Sequence, residues 1–324
     1  MQIKIADTQF AHGTSLGSGD LKIYPKHFEW YRGQDNINDI VVITESMFHK
    51  VDEFTEKIKI AWLLEPMSIS PESYNWIKSN WDMFDFILSH NLDFIKSLQE
   101  IKNTNINTPL PILNKTSFRV PDIIWYPFGG CWIMPQDRKI YPKTKGISII
   151  ASGKTETEGH RLRHDVIKAL GDKVDVYGRG YNPVEYKLDA LKDYQYSIVI
   201  ENERTEGFFT EKIIDCFVTG TIPIYWGDPT LGKEFFNQIK YLGPFINFTY
   251  FQTIQYLYDF VHLVNNNRVN TLPKDKNVTD ITQSVLQFNM ERAEQFTCPE
   301  DWLYNNFFMK EEVLKNQLIK FNIL

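Results

Sequence analysis

Polar residues in the second half of the chain are spaced in a way that suits a phosphate-bearing ligand. An apolar run predicts a buried strand that ends in Glu201 and Asn202. A helix begins shortly after this strand, with Glu211 and Lys212 in its first turn. Ligands bind at the carboxyl ends of strands in open α/β sheets, and backbone amides gather at helix N-termini. The spacing therefore predicts a phosphate or ribose site in which Lys212 contacts a diphosphate.

Taken one at a time, these residues also have purely structural interpretations. Glu211 would complement the positive end of the helix dipole, and Lys212 would be a solvated surface charge. What favours a binding site over these alternatives is the resemblance of the whole segment to a known family, which is described below.

Short apolar runs alternate with helical patterns along the chain, which predicts an α/β protein. In the first half, the predicted strands and then helices are Ile3–Ala6, Ile40–Thr44, Ile58–Leu64, Phe86–Ser89, Ile123–Tyr126, Pro71–Trp81 and Leu92–Glu100. In the second half they are Gly146–Ala151, Lys173–Tyr177, Tyr196–Glu201, Ile222–Trp226, Gly159–Leu170 and Thr210–Thr219. Strands that alternate with single helices form βαβ units and parallel sheets, so we predict two Rossmann-like domains.

A polar segment with two prolines, Met134–Lys145, separates the two alternating regions and is the predicted linker. Beyond it, three late segments have helical patterns: Tyr250–Val264, Asp280–Phe296 and Trp302–Phe321. We therefore predict an N-terminal domain over 1–140 and a C-terminal domain over 141–300. A last helix over 301–324 would pack back on the N-terminal domain. Paired domains of this kind face each other across a substrate cleft.

Composition narrows the class of protein. The chain has 324 residues, of which 43% are hydrophobic and 23% charged, as expected for two folded domains. A net charge of −6 argues against a general nucleic-acid binder. The cysteines, Cys131, Cys216 and Cys298, are too widely spaced for a metal site and are typical of reduced thiols in a cytoplasmic protein. The sequence predicts neither a signal peptide nor a membrane anchor.

No metal cofactor is predicted either. The sequence has no Asp-x-Asp pair of the kind that holds a divalent cation. His160 and His164 share one face of a predicted helix, but no third ligand is evident.

The segment from 194 to 229 resembles the donor-binding motif of the bacterial α-1,3-fucosyltransferases of glycosyltransferase family 10. Their pattern is an aromatic-rich strand ending in Phe-Glu-Asn, then Thr-Glu-Lys at a helix start, then Pro-Ile-Tyr-Trp-Gly. This chain reads Ile200-Glu-Asn202, Thr210-Glu-Lys212 and Pro223-Ile-Tyr-Trp-Gly227. The resemblance implies that Asn202 and Glu211 hold sugar or ribose hydroxyls, while Lys212 binds the diphosphate.

Weaker similarities extend to other positions of the donor site. Arg163 falls where the family has its phosphate-binding arginine, and Arg161, two residues earlier, remains an alternative. Gly178 opens a Gly-Arg-Gly turn that resembles the family's glycine-rich turn. Phe208 stands where a tyrosine is common, so one hydroxyl contact to the donor is missing. The resemblance implies that Phe208 and Tyr225 also line the donor site.

In the first half, the stretch Lys59-Ile-Ala-Trp-Leu-Leu-Glu65 resembles the family's acceptor-domain segment that contains the proposed base. The resemblance implies that Glu65 is the catalytic base. The alternative is that Glu65 caps the following segment or pairs with a lysine. Pro66 follows it where the family usually has an asparagine, and the rest of the acceptor half is largely unmatched.

The resemblance implies a GT-B fold with a helical C-terminal region, in which the N-terminal domain binds the acceptor and the C-terminal domain binds the nucleotide sugar. It implies inverting, metal-independent transfer from GDP-fucose to a hydroxyl of a glycan. Another GDP-sugar such as GDP-D-arabinose, with a different acceptor such as a modified DNA base, stays open as an alternative. A non-catalytic module that binds a sugar nucleotide or a glycan is the alternative from another class.

Overall fold

The computed structural model describes residues 2–10, 13–19, 21–107, 121–231, 236, 250–265 and 276–320. The chain divides into two compact units, Met1–Phe128 together with Cys298–Leu324, and Gly129–Thr297. The division after Phe128 comes earlier in the chain than the predicted boundary at residue 140. The predicted linker Met134–Lys145 lies inside the second unit, where Lys145 already begins a strand.

The first unit contains a six-stranded parallel sheet with the order β2-β1-β3-β4-β5-β6. Its strands are β1 Gln2–Ala6, β2 Glu29–Tyr31, β3 Ile40–Thr44, β4 Ile58–Leu63, β5 Phe86–Ser89 and β6 Asp122–Trp125. Its first helices are a 3-10 helix over Glu45–Glu53, α1 Pro71–Asn80 and α2 Leu92–Asn107. The inner strands β1, β3, β4 and β5 are rich in aliphatic residues and are largely buried on both faces, as parallel sheets require, whereas the edge strands β2 and β6 are only partly buried. Every strand predicted in this half is present, and the short β2 was not predicted.

The last segment of the chain belongs to the core of the first unit. It forms α7 Pro299–Leu303, a π-helix Tyr304–Phe308 and α8 Glu312–Lys320. Leu303, Phe307 and Phe308 pack in one apolar cluster with Ile3 and Trp62. The prediction of a single helix over 302–321 is wrong. Two adjacent phenylalanines are both buried, and a π turn brings adjacent side chains closer to one face than an α turn does.

A buried carboxylate ties this last segment to the start of the chain. Glu300 accepts hydrogen bonds from the Ser15 hydroxyl at 2.7 Å and the Leu16 amide at 2.8 Å. It also accepts one from the Trp30 indole at 2.9 Å. Glu300 is fully buried, so these donors supply the interactions that water would otherwise give.

The second unit contains a four-stranded parallel sheet with the order β10-β9-β7-β8. Its strands are β7 Lys145–Ile150, β8 Asp175–Tyr177, β9 Tyr194–Ile200 and β10 Ile222–Trp226. Its helices include α3 Glu158–Leu170, a 3-10 helix Lys187–Ala190, α4 Glu211–Val218, α5 Tyr250–Asn265 and α6 Lys276–Glu294. These elements agree with the predicted alternation. The carboxyl ends of β7, β9 and β10 lie side by side because the strands are parallel.

The described helices include none that is long and apolar enough to cross a membrane.

Candidate active site

The end of β9 and the start of α4 are joined through one buried carboxylate. Glu201 has no solvent-exposed surface. Its Oε1 accepts the Thr210 amide at 2.9 Å, and its Oε2 accepts the Thr210 hydroxyl at 2.8 Å. Thr210 in turn caps the helix, since its Oγ1 accepts the backbone N–H of Lys212 at 3.4 Å. Glu201 therefore fixes the first turn of α4 at the carboxyl edge of the sheet.

The ammonium group of Lys212 lies among oxygen atoms at this helix start. Its Nζ is 2.9 Å from Thr210 Oγ1, 3.3 Å from Glu201 Oε2 and 3.3 Å from Glu211 Oε1. A lysine ammonium has three N–H donors. A diphosphate oxygen that binds Lys212 would therefore take the place of one of these three acceptors.

A second lysine, Lys187, was not predicted from the sequence. Its positive charge faces the carboxylates of Glu211 and Asp215. Lys187 Nζ lies 2.6 Å from Asp215 Oδ2 and 3.7 Å from Glu211 Oε1, over the Trp132 ring. Burial opposes ionisation of Glu211, but attraction to Lys212 and Lys187 lowers its pKa to about 2. Glu211 is thus a carboxylate, able to accept hydrogen bonds from hydroxyl groups. Lys187 comes from a separate segment, so no local spacing indicated its place here.

Arg163 reaches the same edge of the sheet from α3. Its Nε and Nη2 donate to the Ile200 carbonyl at 2.9 and 2.6 Å, and Nη2 donates to Asn202 Oδ1 at 2.9 Å. Burial lowers the pKa of Arg163, whereas Glu201 and Glu211 raise it. An arginine stays charged in proteins, so a buried cation lies at the end of β9. Nη1 takes part in none of these bonds.

Arg161, the alternative to Arg163, points elsewhere. It is exposed, and its Nη1 donates to the carbonyls of Thr155 at 3.2 Å and Glu156 at 3.0 Å. The structure therefore brings Arg163 together with Asn202, whereas the Arg161 guanidinium contacts the loop that precedes α3.

Gly178 lies in the turn that follows β8. Its φ is +111°, and a Cβ there would lie 2.1 Å from the carbonyl oxygen of Ala151. Its N–H donates to the Asn182 carbonyl at 2.9 Å. Only glycine fits this turn, because the φ angle is positive and because there is no room for a Cβ atom. Whether Gly178 contacts a donor stays a prediction.

Phe208 and Tyr225 support the loop between β9 and α4 from within. Both side chains are buried. The Tyr225 hydroxyl donates to the Phe208 carbonyl at 3.3 Å and accepts the Asp228 amide at 3.1 Å. These contacts shape the loop, and direct contact of the two side chains with a donor stays a prediction.

Glu65 lies in the first unit, whereas the other predicted site residues lie in the second. It follows β4 and is half-buried. Its N–H donates to Glu45 Oε1 at 2.7 Å, and its carbonyl accepts the Tyr74 hydroxyl at 2.8 Å. The backbone at Glu65 is therefore held on both sides, and its catalytic role stays a prediction.

Within the described ranges, no group of three His, Cys, Asp or Glu side chains is arranged to hold a metal ion. Both ring nitrogens of His164 have polar contacts, with the Tyr181 hydroxyl at 2.5 Å and the Lys154 carbonyl at 2.8 Å. Burial lowers the pKa of His160 to about 4, and positive charge on Arg163 acts in the same direction.

Comparison with known proteins finds a family match within the second unit. Residues 140–272 match the sequence model of glycosyltransferase family 10 (fucosyltransferase), C-terminal part, so the resemblance seen in the motifs is confirmed. The alpha-(1,3)-fucosyltransferase FucT of Helicobacter pylori is 46% identical over 56 residues, 17% of this chain and 12% of that protein. A putative fucosyltransferase-like protein of Arabidopsis thaliana is 31% identical over 102 residues, 30% of this chain and 20% of that protein. Both matches span only a minor part of these relatives.

The fold has a counterpart among solved structures. The pneumococcal O-GlcNAc transferase GtfA, crystallised with UDP and GlcNAc, is similar over 87% of this chain and 57% of that chain. The sequence identity is 14% and the TM-score is 0.51, so the likeness concerns the fold alone. The parallel α/β units and this similarity confirm the predicted GT-B fold class.

Proposed function

We propose that the chain transfers a sugar from a GDP-sugar to a hydroxyl group of a glycan, because residues 140–272 match the sequence model of glycosyltransferase family 10. GDP-fucose is the first donor to expect, since the matched family and the bacterial and plant relatives are named for fucosyl transfer. Transfer proceeds with inversion, as the acceptor hydroxyl attacks the anomeric carbon from the face opposite the departing GDP.

The observation that carries this proposal is the pair of cations at the end of β9. Arg163 is buried beneath the strand end, and Lys212 lies in the first turn of α4. Negative charge develops on the diphosphate as the sugar departs. Cations held in place before the reaction stabilise that charge without reorganisation, commonly by about 3 kcal/mol each. The amide end of α4 adds its partial positive charge.

The polar residues beside these cations orient the donor. Glu211 is anionic, since attraction to Lys212 and Lys187 outweighs its burial, and it accepts hydrogen bonds from sugar or ribose hydroxyls. Asn202 is held by Arg163 through its Oδ1, which leaves its amide nitrogen for the donor. Side chains fixed in this way hold the bound donor in the orientation that the reaction requires.

Proton removal is assigned to Glu65. As the acceptor hydroxyl attacks, its proton passes to the Glu65 carboxylate, a contribution of about 10²–10⁴-fold in rate. Charge on the leaving GDP is met by Arg163, Lys212 and the helix end, so we propose that transfer needs no metal ion.

A panel of nucleotide sugars tests the donor. Release of GDP or UDP is measured with GDP-fucose, GDP-D-arabinose, GDP-mannose, UDP-glucose and UDP-GlcNAc, each with a set of saccharides and with hydroxymethylated DNA. We expect GDP-fucose with a saccharide to give the fastest release, and EDTA to leave it unchanged. Release from UDP-sugars alone contradicts the donor assignment, and GDP binding without any release supports a non-catalytic module.

Lys212→Met tests the cation at the helix start. It keeps the apolar stem and removes the charge, so we expect GDP to bind about tenfold or more weakly and transfer to fall further. Lys168→Met is the matched control, because Lys168 is exposed on α3. Equal GDP affinity in the parent and Lys212→Met would place the diphosphate elsewhere.

A further inference from the structure

Glu45 is a buried acid beside the predicted base, and sequence reasoning did not single it out. It directly follows β3, which pairs in parallel with β4 so that Thr44 lies opposite Trp62. Glu45 therefore stands beside the point at which β4 leaves the sheet. Only 4% of its surface is exposed.

One oxygen of Glu45 binds the two residues that directly follow the end of β4. Its Oε1 accepts the backbone N–H of Leu64 and, at 2.7 Å, the N–H of Glu65. These are the first two amides beyond β4, which ends at Leu63. The Glu65 carbonyl is held by the Tyr74 hydroxyl, and Pro66 restricts the residue before it to extended backbone.

The other oxygen of Glu45 is buried and has no hydrogen-bond partner in the part of the chain that the structure describes. A buried polar atom without a partner costs about 1–3 kcal/mol. Burial raises the pKa of Glu45 to about 8, although the amides that it accepts act in the opposite direction. A glutamine would accept the same two amides without burying a titrating acid. Costly groups of this kind are concentrated at functional sites.

We propose that Glu45 is a positioning residue for Glu65, whose backbone it fixes so that the Glu65 carboxylate meets the acceptor hydroxyl in one orientation. This inference rests on the proposed role of Glu65 as the base. A displacement of about 1 Å in a reacting group costs about 10²-fold in rate. The expected signature of a positioning role is therefore a fall in kcat with unchanged donor binding.

The test compares Glu45→Ala, Glu45→Gln, Glu65→Gln and the double variant Glu45→Ala/Glu65→Gln. Glu53→Ala is the control, because Glu53 is exposed at the end of the same 3-10 helix. We measure kcat and KM for GDP-fucose with the saccharide that supports most GDP release, and GDP affinity by calorimetry. Hydrogen exchange of the amides in the segment 60–70 is followed in parallel.

Glu45→Ala is expected to lower kcat by about 10²-fold with KM for GDP-fucose and GDP affinity unchanged, while Glu45→Gln stays within about threefold of the parent. In the Glu65→Gln background, Glu45→Ala should have no further effect on kcat, because both act through one group. Exchange at Leu64 and Glu65 should accelerate about tenfold or more in the two variants that carry Glu45→Ala, and in neither Glu45→Gln nor Glu65→Gln.

Additive effects in the double variant overturn the positioning role. So does exchange at Leu64 and Glu65 that is equal in Glu45→Ala and the parent. Transfer at the parent rate by Glu65→Gln removes the proposed base and this inference with it. An inert parent that still shows fast exchange in Glu45→Ala refutes the proposed function and retains Glu45 as the backbone anchor of Glu65.

Discussion

The amide of Gly159 donates a hydrogen bond to the carbonyl oxygen of Asn202 at 3.0 Å, which places the start of α3 directly against the end of β9. The approach is so close that a Cβ at residue 159 would lie 1.7 Å from the carbonyl oxygen of Glu201. A backbone oxygen cannot move aside as a side chain can. The contact sets the distance from which Arg163, one turn along α3, reaches the strand end.

Gly159→Ala is therefore expected to displace α3 and to weaken GDP binding by about tenfold, although alanine usually stabilises a helix by about 1 kcal/mol relative to glycine. The measurements are GDP affinity and the denaturant midpoint. Gly153→Ala is the matched control, since a Cβ there meets nothing within 4 Å. Parent-like affinity and stability in Gly159→Ala would show that the helix adjusts without moving Arg163.

Arg163→Lys tests the fork of hydrogen bonds at the strand end. Lysine cannot reproduce the planar donors that bind both the Ile200 carbonyl and Asn202, so we expect a loss of about tenfold or more in GDP affinity. Arg161→Lys, two residues away and exposed, should bind GDP like the parent. If instead Arg161→Lys loses GDP affinity and Arg163→Lys binds GDP like the parent, the diphosphate is bound by Arg161.

Glu45 gives a dependence of stability on pH. Its pKa is raised from 4.5 to about 8, so the folded protein holds a proton there that the unfolded chain releases. The stabilisation of the folded state that comes from holding this proton is fully present below pH 4.5 and is lost as the pH rises to about 8. Glu45→Gln lacks it. The stability of Glu45→Gln relative to the parent should therefore increase between pH 5 and pH 8, on the order of 2–4 kcal/mol.

The comparison is made by chemical denaturation of both proteins at each pH. Every other titrating group, including the neighbouring Glu65 and His90, is common to both chains and largely cancels in the difference. A difference that stays constant with pH would mean that Glu45 is ionised throughout this range.

Glu300→Ala tests the attachment of the last segment to the first unit. The change leaves the Trp30 indole and the Leu16 amide buried without their acceptor, so we expect a loss of about 3 kcal/mol in unfolding free energy. Asp301→Ala is the control, since the side chain of Asp301 accepts an exposed bond from the Lys26 amide at 2.7 Å and leaves no buried donor unpaired when it is removed. Tryptophan fluorescence follows the transition. Equal losses in the two variants would contradict the anchoring role.

Much of the fold was predictable because its strands carry a strong local pattern. Ile40–Thr44, Phe86–Ser89 and Ile222–Trp226 have the predicted bounds, as expected for apolar, β-branched runs between polar residues. The three-residue strand Glu29–Tyr31 is too short to show a pattern. The break in the predicted helix 302–321 depends on how Phe307 and Phe308 fit the core, which no helical periodicity reveals.

The residues of the candidate site likewise fall into those that the sequence predicted and those that it did not. Lys212 and Glu211 follow one strand end within one loop, so their spacing along the chain was informative. Lys187 and Glu45 reach their partners from segments that are distant in sequence, and only the topology of the sheets brings them there. Arg163 could be separated from Arg161 only once the contacts with Ile200 and Asn202 were known.

The anchoring of residues 298–314 in the first unit has a consequence for synthesis. The strands of that unit leave the ribosome first, but Glu300 and the apolar residues that complete its core emerge only after the whole of the second unit. Domains otherwise tend to fold in the order of their synthesis. In the nascent chain, the Trp30 indole lacks its acceptor and the apolar face that receives Leu303 and Phe307 stays uncovered. The core of the first unit therefore cannot be completed until the second unit has been synthesised.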